Sequence, residues 1–126
     1  MKQVLVITTT EKAFLDDMDE KIKEGYKVIA GSTFIASLPW DIVVPEGELL
    51  SDTEHILTVS ITGKYDFMIY AKDIEIFKQE VNSKLSKGDY SLVVGSLSAN
   101  LVKLDGFKVK IARAYITYYS CSMYKE

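Results

Sequence analysis

The sequence predicts an α+β protein in which two tandem βαββ repeats form one largely antiparallel six-stranded sheet, with two helices on one face. The first reason is that one residue pattern occurs in residues 14–32 and again in residues 77–96. The second is a helical spacing of apolar residues in each copy, and the third is a set of β-branched runs around each helix. The repeated positions are Phe14, Met18, Ile22, Gly25, Tyr26, Val28, Gly31 and Ser32 in the first copy, and Phe77, Val81, Leu85, Gly88, Tyr90, Leu92, Gly95 and Ser96 in the second.

The two repeats are expected to share one core. The chain has 126 residues, of which 48% are hydrophobic. A domain of about 60 residues is marginally stable by itself, whereas the full length buries a sizeable core. We therefore predict a single domain, 1–126, made of the pseudo-repeats 1–63 and 64–126.

The first repeat begins with a strand over residues 2–10, which is rich in β-branched side chains. A helix follows over residues 11–24, because every fourth residue is apolar, and Thr9 or Thr10 offers the N-cap oxygen. Gly25 stands where a residue of positive φ commonly ends a helix. Further strands are predicted over residues 26–37 and 55–62, the second from its strict alternation of apolar and hydroxyl side chains.

The second repeat has the same order of elements. A strand over 65–71 is followed by an N-cap at Asp73, a helix over 74–87, Gly88 at the helix end, and strands over 90–101 and 109–124. In each repeat the helical crossover makes the first two strands parallel, and we expect the third strand to pair antiparallel between them, in the order 1-3-2. Joining two such sheets edge to edge gives six strands and shields one exposed edge of each.

One segment breaks the symmetry of the repeats. A loop of about 18 residues is predicted over 37–54, and long loops in compact domains are often functional. It contains Trp40 between two prolines, followed by an acidic stretch. The loop is interpreted as a flap over its own core, as an arm that grips a neighbouring subunit, or as a lid over a ligand.

Composition excludes several classes of protein. The net charge of −3 argues against binding of a nucleic-acid polymer through its phosphates, and no apolar run approaches the ~20 residues needed to cross a membrane. A single cysteine, Cys121, fits the reducing cytoplasm. Fourteen lysines against one arginine indicate an A/T-rich bacterial or viral genome. Residues 64–126 carry three more basic than acidic residues, which suits an anionic ligand or, more simply, reflects drift of solvated faces.

No catalytic or cofactor motif is found, so we expect a protein that is not an enzyme and holds no cofactor or metal. His55 and Cys121 lack the further nitrogen or sulfur ligands of a zinc site. His55 is predicted to be a solvated histidine, and Asp16 and Asp17 to lie on an exposed helix face. The pairs Gly31-Ser32 and Gly95-Ser96 fall inside predicted strands, where they favour close backbone packing or a bulge over a phosphate cradle.

The final strand is the strongest candidate for function. Alternation divides it into two faces, and we expect the face with small residues to meet the helices. The other face is expected to look away from the helices, beside hydroxyl side chains of neighbouring strands, and to be covered by another subunit. Arginine and tyrosine are also enriched in binding hot spots. The face that meets the helices holds Ala112, Ala114, Ile116 and Tyr118; the outward face holds Arg113, Tyr115, Thr117, Tyr119, Cys121 and Met123, beside Thr58, Ser60, Thr62, Ser96 and Ser98.

The runs Glu24-Gly25-Tyr26 and Ala30-Gly31-Ser32 resemble the hallmark of a small bacterial and phage domain family: a helix ending in Glu-Gly-Trp, a strand with a Gly-Gly or Gly-Ser pair, and a tyrosine-rich last strand. The second repeat matches less closely, with Gly88, Tyr90 and Val94-Gly95-Ser96, because Asp89 intrudes. The resemblance implies a βαββ fold and no activity. The order of elements is also similar to that of dodecin-type flavin binders, an analogy of topology alone.

These observations lead to one functional expectation and one alternative. The first is a non-enzymatic, homo-oligomeric protein that binds a small anionic, nucleotide-like molecule, as a phage-type sponge would. Its ligand-binding residues would be Arg113 on a phosphate, with Tyr115, Tyr119 or Trp40 stacking on a base. The alternative is a protein-interaction module, or an inhibitor of a host protein, that uses the Trp40 loop or the Arg113/Tyr115/Tyr119 face.

Overall fold

The α+β class is confirmed by the computed structural model, which describes residues 1–44, 53–103 and 110–126, and no side chain within 39–54 or 101–114. This part of the chain contains two helices and eight strands. In chain order they are β1 (Lys2–Thr8), α1 (Glu11–Lys23), β2 (Lys27–Val28), β3 (Phe34–Val44), β4 (Thr53–Thr62), β5 (Phe67–Ala71), α2 (Ile74–Leu85), β6 (Ser91–Leu92), β7 (Ser98–Lys103) and β8 (Lys110–Lys125).

The predicted six-stranded sheet is not observed, because the strands form two antiparallel sheets of four. In the first sheet, β8 lies between β1 on one side and β2 and β3 in succession on the other. In the second sheet, β4 lies between β5 on one side and β6 and β7 on the other. The predicted order 1-3-2 is therefore present in both sheets, but each central strand comes from the other repeat. The repeats have exchanged their third strands.

Each sheet has a helix face and a rear face. The helix face of the first sheet meets α1, and the helix face of the second sheet meets α2. On the first sheet, Val6, Cys121 and Met123 pack with Phe14 of α1. The expectation that the Tyr119, Cys121 and Met123 row looks away from the helices is therefore wrong. Each face of β8 meets a helix, because Tyr118 packs in the cluster of α2 whereas Cys121 and Met123 pack with α1.

The rear face of the first sheet packs against the second repeat. Leu5 and Ile7 of β1 and Tyr118 of β8 share one core cluster with α2 and with the helix face of the second sheet. That helix face consists of Leu57, Val59, Ile61 and Ile69. The layers are therefore α1, the first sheet, and then α2 together with the second sheet. The rear face of the first sheet is covered within the chain, whereas no element among the described residues covers the rear face of the second sheet.

An asparagine fixes α2 against the first sheet. Leu5 lies on β1, an outer strand of that sheet. Its backbone N–H donates to Asn82 Oδ1 at 2.8 Å, and Asn82 Nδ2 donates to the Leu5 carbonyl at 3.2 Å. The side-chain amide thus satisfies the two backbone groups that an adjacent strand would have bonded.

The predicted helix starts and N-caps are confirmed, whereas α2 ends at Leu85, two residues before the predicted end. Thr10 accepts the Ala13 N–H at the start of α1, and Asp73 accepts two N–H groups at the start of α2. Gly25 and Gly88 follow the helices with φ of 101° and 77°. These features depend on neighbours within one turn, so the sequence is sufficient to locate them.

The predicted loop over 37–54 is shorter than expected, because β3 continues to Val44 and β4 begins at Thr53. Pro39 lies inside β3, opposite Tyr115 of β8. A proline is tolerated there because β3 lies at the sheet edge, with β8 as its strand partner in the described residues. The remaining part of the predicted loop, 45–52, lies outside the described residues, as does the choice between flap, arm and lid.

Neither helix in the described part of the chain is long and apolar enough to cross a membrane.

Candidate functional site

The Gly-Ser pair of the first repeat forms a bulge between β2 and β3, where one continuous strand was predicted. Both strands pair with β8 on the same side, and residues 29–33 separate them. Gly31 has a φ of 77°, which glycine adopts readily. The Ser32 hydroxyl accepts the Ser122 N–H at 3.0 Å and lies 2.7 Å from the Ile29 carbonyl oxygen. Ser32 therefore takes the place of a missing backbone partner for β8.

The second repeat builds the same bulge between β6 and β7. Gly95 has a φ of 85°. The Ser96 hydroxyl accepts the Ser60 N–H at 3.0 Å and donates to the Val93 carbonyl at 2.6 Å. Because both serine hydroxyls are occupied by the backbone, neither bulge is a phosphate cradle of the P-loop kind.

The two bulges line one cavity of about 200 Å³ between the sheets. The first bulge contributes Gly31, Ser32 and Thr33, and the second contributes Val93 and Gly95. The cavity lies at the junction of the repeats, a place at which ligand sites commonly form. The rest of the lining is Leu5, Phe34, Val59, Leu92, Leu97 and Ser122.

The chemistry of this lining is mixed and uncharged among the described residues. Leucine, valine and phenylalanine side chains make up most of it, and Thr33 and Ser122 add hydroxyl groups. Thr33 is exposed at the surface, whereas Ser122 is buried. Such a lining can hold an apolar or aromatic group that offers a few hydrogen-bonding atoms, and it offers no cation to a phosphate.

The predicted site residues on β8 do not form one surface. Tyr119 packs into the core under α1, with its ring centroid 6.2 Å from that of Phe14. Tyr115 is exposed, four positions away along the same strand. Four positions of a strand span about 13 Å. Tyr115 is therefore accessible to a ligand or a partner, whereas Tyr119 is half-buried against the core cluster under α1.

The side chains of Arg113 and Trp40 lie outside the described residues, but their backbone positions are known. In the pairing of β3 with β8, Trp40 is opposite Ala114, next to the Asp41–Arg113 pair. Phe34 of the cavity lining is opposite Ser120, which is seven positions from Arg113 along β8. Since each position of a strand adds about 3.3 Å, the backbone of Arg113 lies about 23 Å from that residue pair.

His55 is buried, which corrects the prediction of a solvated histidine. β4 begins two residues earlier than predicted, so His55 lies inside the strand and shares the inward face with Leu57 and Val59. Its Nδ1 is 3.2 Å from the hydroxyl of Tyr118 on the facing sheet. Burial raises the pKa of Tyr118. The pair joins the two sheets.

Burial of Cys121 predicts a dependence of stability on pH. It raises the pKa of the thiol from 9.0 to about 11. The unfolded thiol loses its proton first, so the free energy of unfolding should fall between about pH 9 and 11, by at most about 1.4 kcal/mol per pH unit. Urea unfolding across this range measures the slope. In the Cys121→Ala variant the dependence of the unfolding free energy on pH should be weaker, and the part that remains should come from Tyr118. An unchanged slope in the variant would contradict the assignment to Cys121.

Within the described residues, no three histidine, cysteine, aspartate or glutamate side chains lie close enough together to hold a metal ion. Comparison with known proteins finds no matching family, no matching curated protein and no matching solved structure. Functional inference therefore rests on the geometry of this chain.

Proposed function

We propose that the protein is a non-enzymatic small-ligand-binding protein and that its site is the cavity between the two bulges. The observation that carries this proposal is that Gly31 and Gly95, the equivalent glycines of the most distinctive repeated motif, line the same cavity, together with Ser32 of the first copy. Structural bulges often re-aim the backbone next to functional sites.

The ligand class follows from the size and charge of the cavity. Its volume of about 200 Å³ is below the range of about 300–1,000 Å³ for whole drug-sized ligands. A single aromatic ring system, such as the base of a nucleoside, suits this space, and the exposed Thr33 marks the mouth. A sugar or phosphate would remain outside, in solvent, because Arg113 is too distant to reach it.

A substitution at the mouth tests the proposal. Thr33→Trp should block entry of a ring and weaken binding at least tenfold, whereas Thr9→Trp, at an exposed site outside the lining, should bind as the wild type does. Calorimetric titration with nucleosides and their monophosphates measures the affinities, and native mass spectrometry of fresh protein detects a ligand that co-purifies. Equal affinity for a nucleoside and its monophosphate is expected.

Two results would overturn the proposal. The first is unchanged binding by Thr33→Trp, which would place the site elsewhere. The second is a wild-type protein that binds none of the probes and carries no co-purified small molecule.

A further inference from the structure

We propose that a second copy of this chain docks on the rear face of the second sheet, using the helix face of its own first repeat. This contact would repeat, between chains, the contact that joins the two repeats within one chain. It is independent of the cavity proposal, because that cavity lies inside a single chain.

The internal contact is head to tail. The rear face of the first sheet packs against the helix face of the second repeat, so two different surfaces meet. Two polar contacts fix it: Asn82 bonds both backbone groups of Leu5, and Gln3 Oε1 accepts the Leu92 N–H at 2.8 Å. A contact of this kind leaves one copy of each surface free at the two ends of the molecule.

The first free surface is the rear face of the second sheet. Val6 is opposite Cys121 in the first sheet, and Ile69 is opposite Val59 in the second, each on the helix face. Val6 and Ile69 are therefore equivalent positions of the two sheets. Met68 and Tyr70, on either side of Ile69, are equivalent to Leu5 and Ile7, on either side of Val6. Leu5 and Ile7 are buried by the second repeat, whereas Met68 and Tyr70 are 60% and 69% exposed.

The second free surface is the helix face of the first repeat. Ile22 of α1 and Val28 of β2 occupy the places of Leu85 and Leu92 in the second repeat. Leu85 and Leu92 are buried against the first sheet, whereas Ile22 and Val28 are 52% and 39% exposed. Four apolar positions that are buried at the internal contact, Leu5, Ile7, Leu85 and Leu92, therefore have exposed counterparts on the outer surfaces.

The polar groups of the internal contact also have counterparts. Asp66 stands in the place of Gln3 and offers a carboxylate oxygen, and Val28 offers the backbone N–H in the place of Leu92. Asp19 stands in the place of Asn82 and keeps the acceptor for the backbone N–H of Met68 on the outer strand β5. The outer surfaces thus match the internal pair in apolar character at four positions and in hydrogen-bond acceptors. Asp19 lacks the donor that Asn82 gives to the Leu5 carbonyl, and Asp66 Oδ1 already accepts the Thr62 hydroxyl at 2.7 Å.

Two charge substitutions test the proposal in the intact chain. Tyr70→Lys blocks the rear face of the second sheet, and Ile22→Lys blocks the helix face of the first repeat. Light scattering during size-exclusion chromatography at tens of micromolar should show an oligomeric wild type and two monomeric variants. An equimolar mixture of the variants should form a heterodimer, because each retains the surface that the other has lost. Ile76→Lys, on an exposed part of α2, is the matched control and should assemble as the wild type does.

The single variants and their mixture together distinguish this head-to-tail assembly from a symmetric dimer. In a dimer that pairs two rear faces, Ile22→Lys would still dimerise by itself, and in a dimer that pairs two helix faces, Tyr70→Lys would. Either result overturns the proposal, as does a monomeric wild type or a mixture that stays monomeric. Circular dichroism of each variant confirms that it is folded before its mass is interpreted.

Discussion

Residues 1–63, produced without the second repeat, should be unfolded as a monomer. The first sheet would lack β8, the strand that pairs with β1, β2 and β3, and β4 would lack all three of its partners. The helix α1 has 13 residues, a length that is marginal for an isolated helix. Far-UV circular dichroism should therefore show little structure, and urea should produce no cooperative transition.

The matched experiment mixes this fragment with residues 64–126. The mixture should regain the spectrum of the intact chain, because each fragment supplies the central strand of the other sheet. A monomeric 1–63 fragment with its own cooperative transition would contradict the strand exchange, since β4 would then complete the sheet of its own repeat.

Phe77→Ala should destabilise the protein by about 3–5 kcal/mol. The Phe77 ring is fully buried in the cluster that joins α2 to both sheets, so its removal leaves a cavity that neither sheet can fill alone. The neighbouring variant Ile76→Ala is the control, because Ile76 is exposed and its truncation should cost about 0.5 kcal/mol or less. Urea unfolding monitored by circular dichroism measures both values. A cost for Phe77→Ala below that of the control would contradict the common core.

The helices and strands of this fold could be predicted from the sequence because each depends on residues that are close together in the chain. Helix spacing, N-caps and helix-ending glycines act within one turn, and both helices begin at the predicted residue. The partners of the strands were not accessible. β4 and β8 both show the alternation of a central strand, and nothing local distinguishes pairing within a repeat from pairing across repeats. The sequence therefore predicts the order 1-3-2 and leaves the source of the central strand undetermined.

The same limit explains the mistaken faces of β8. Alternation separates Tyr118 from Tyr119 but does not say which face meets a helix when both are covered. Pro39 likewise indicated a loop, because a sequence does not show that a strand lies at an edge. For the site, the repeated Gly-Ser pair was interpreted as a bulge or a close backbone approach inside a strand, and the structure shows a bulge that separates two strands. That two bulges line one cavity depends on how the sheets pack, which no local pattern contains.

The strand exchange also determines the order in which the protein can fold during its synthesis. A nascent chain completes the second sheet first, since β4, β5, β6 and β7 all emerge before β8. The first sheet, although it contains the earliest strand, stays without its centre until residues 110–125 have been translated. Through that interval β1 lacks β8, its strand partner, and its unpaired backbone is open to mispairing with other nascent chains. β1, the first strand to be synthesised, is thus among the last to gain its strand partner.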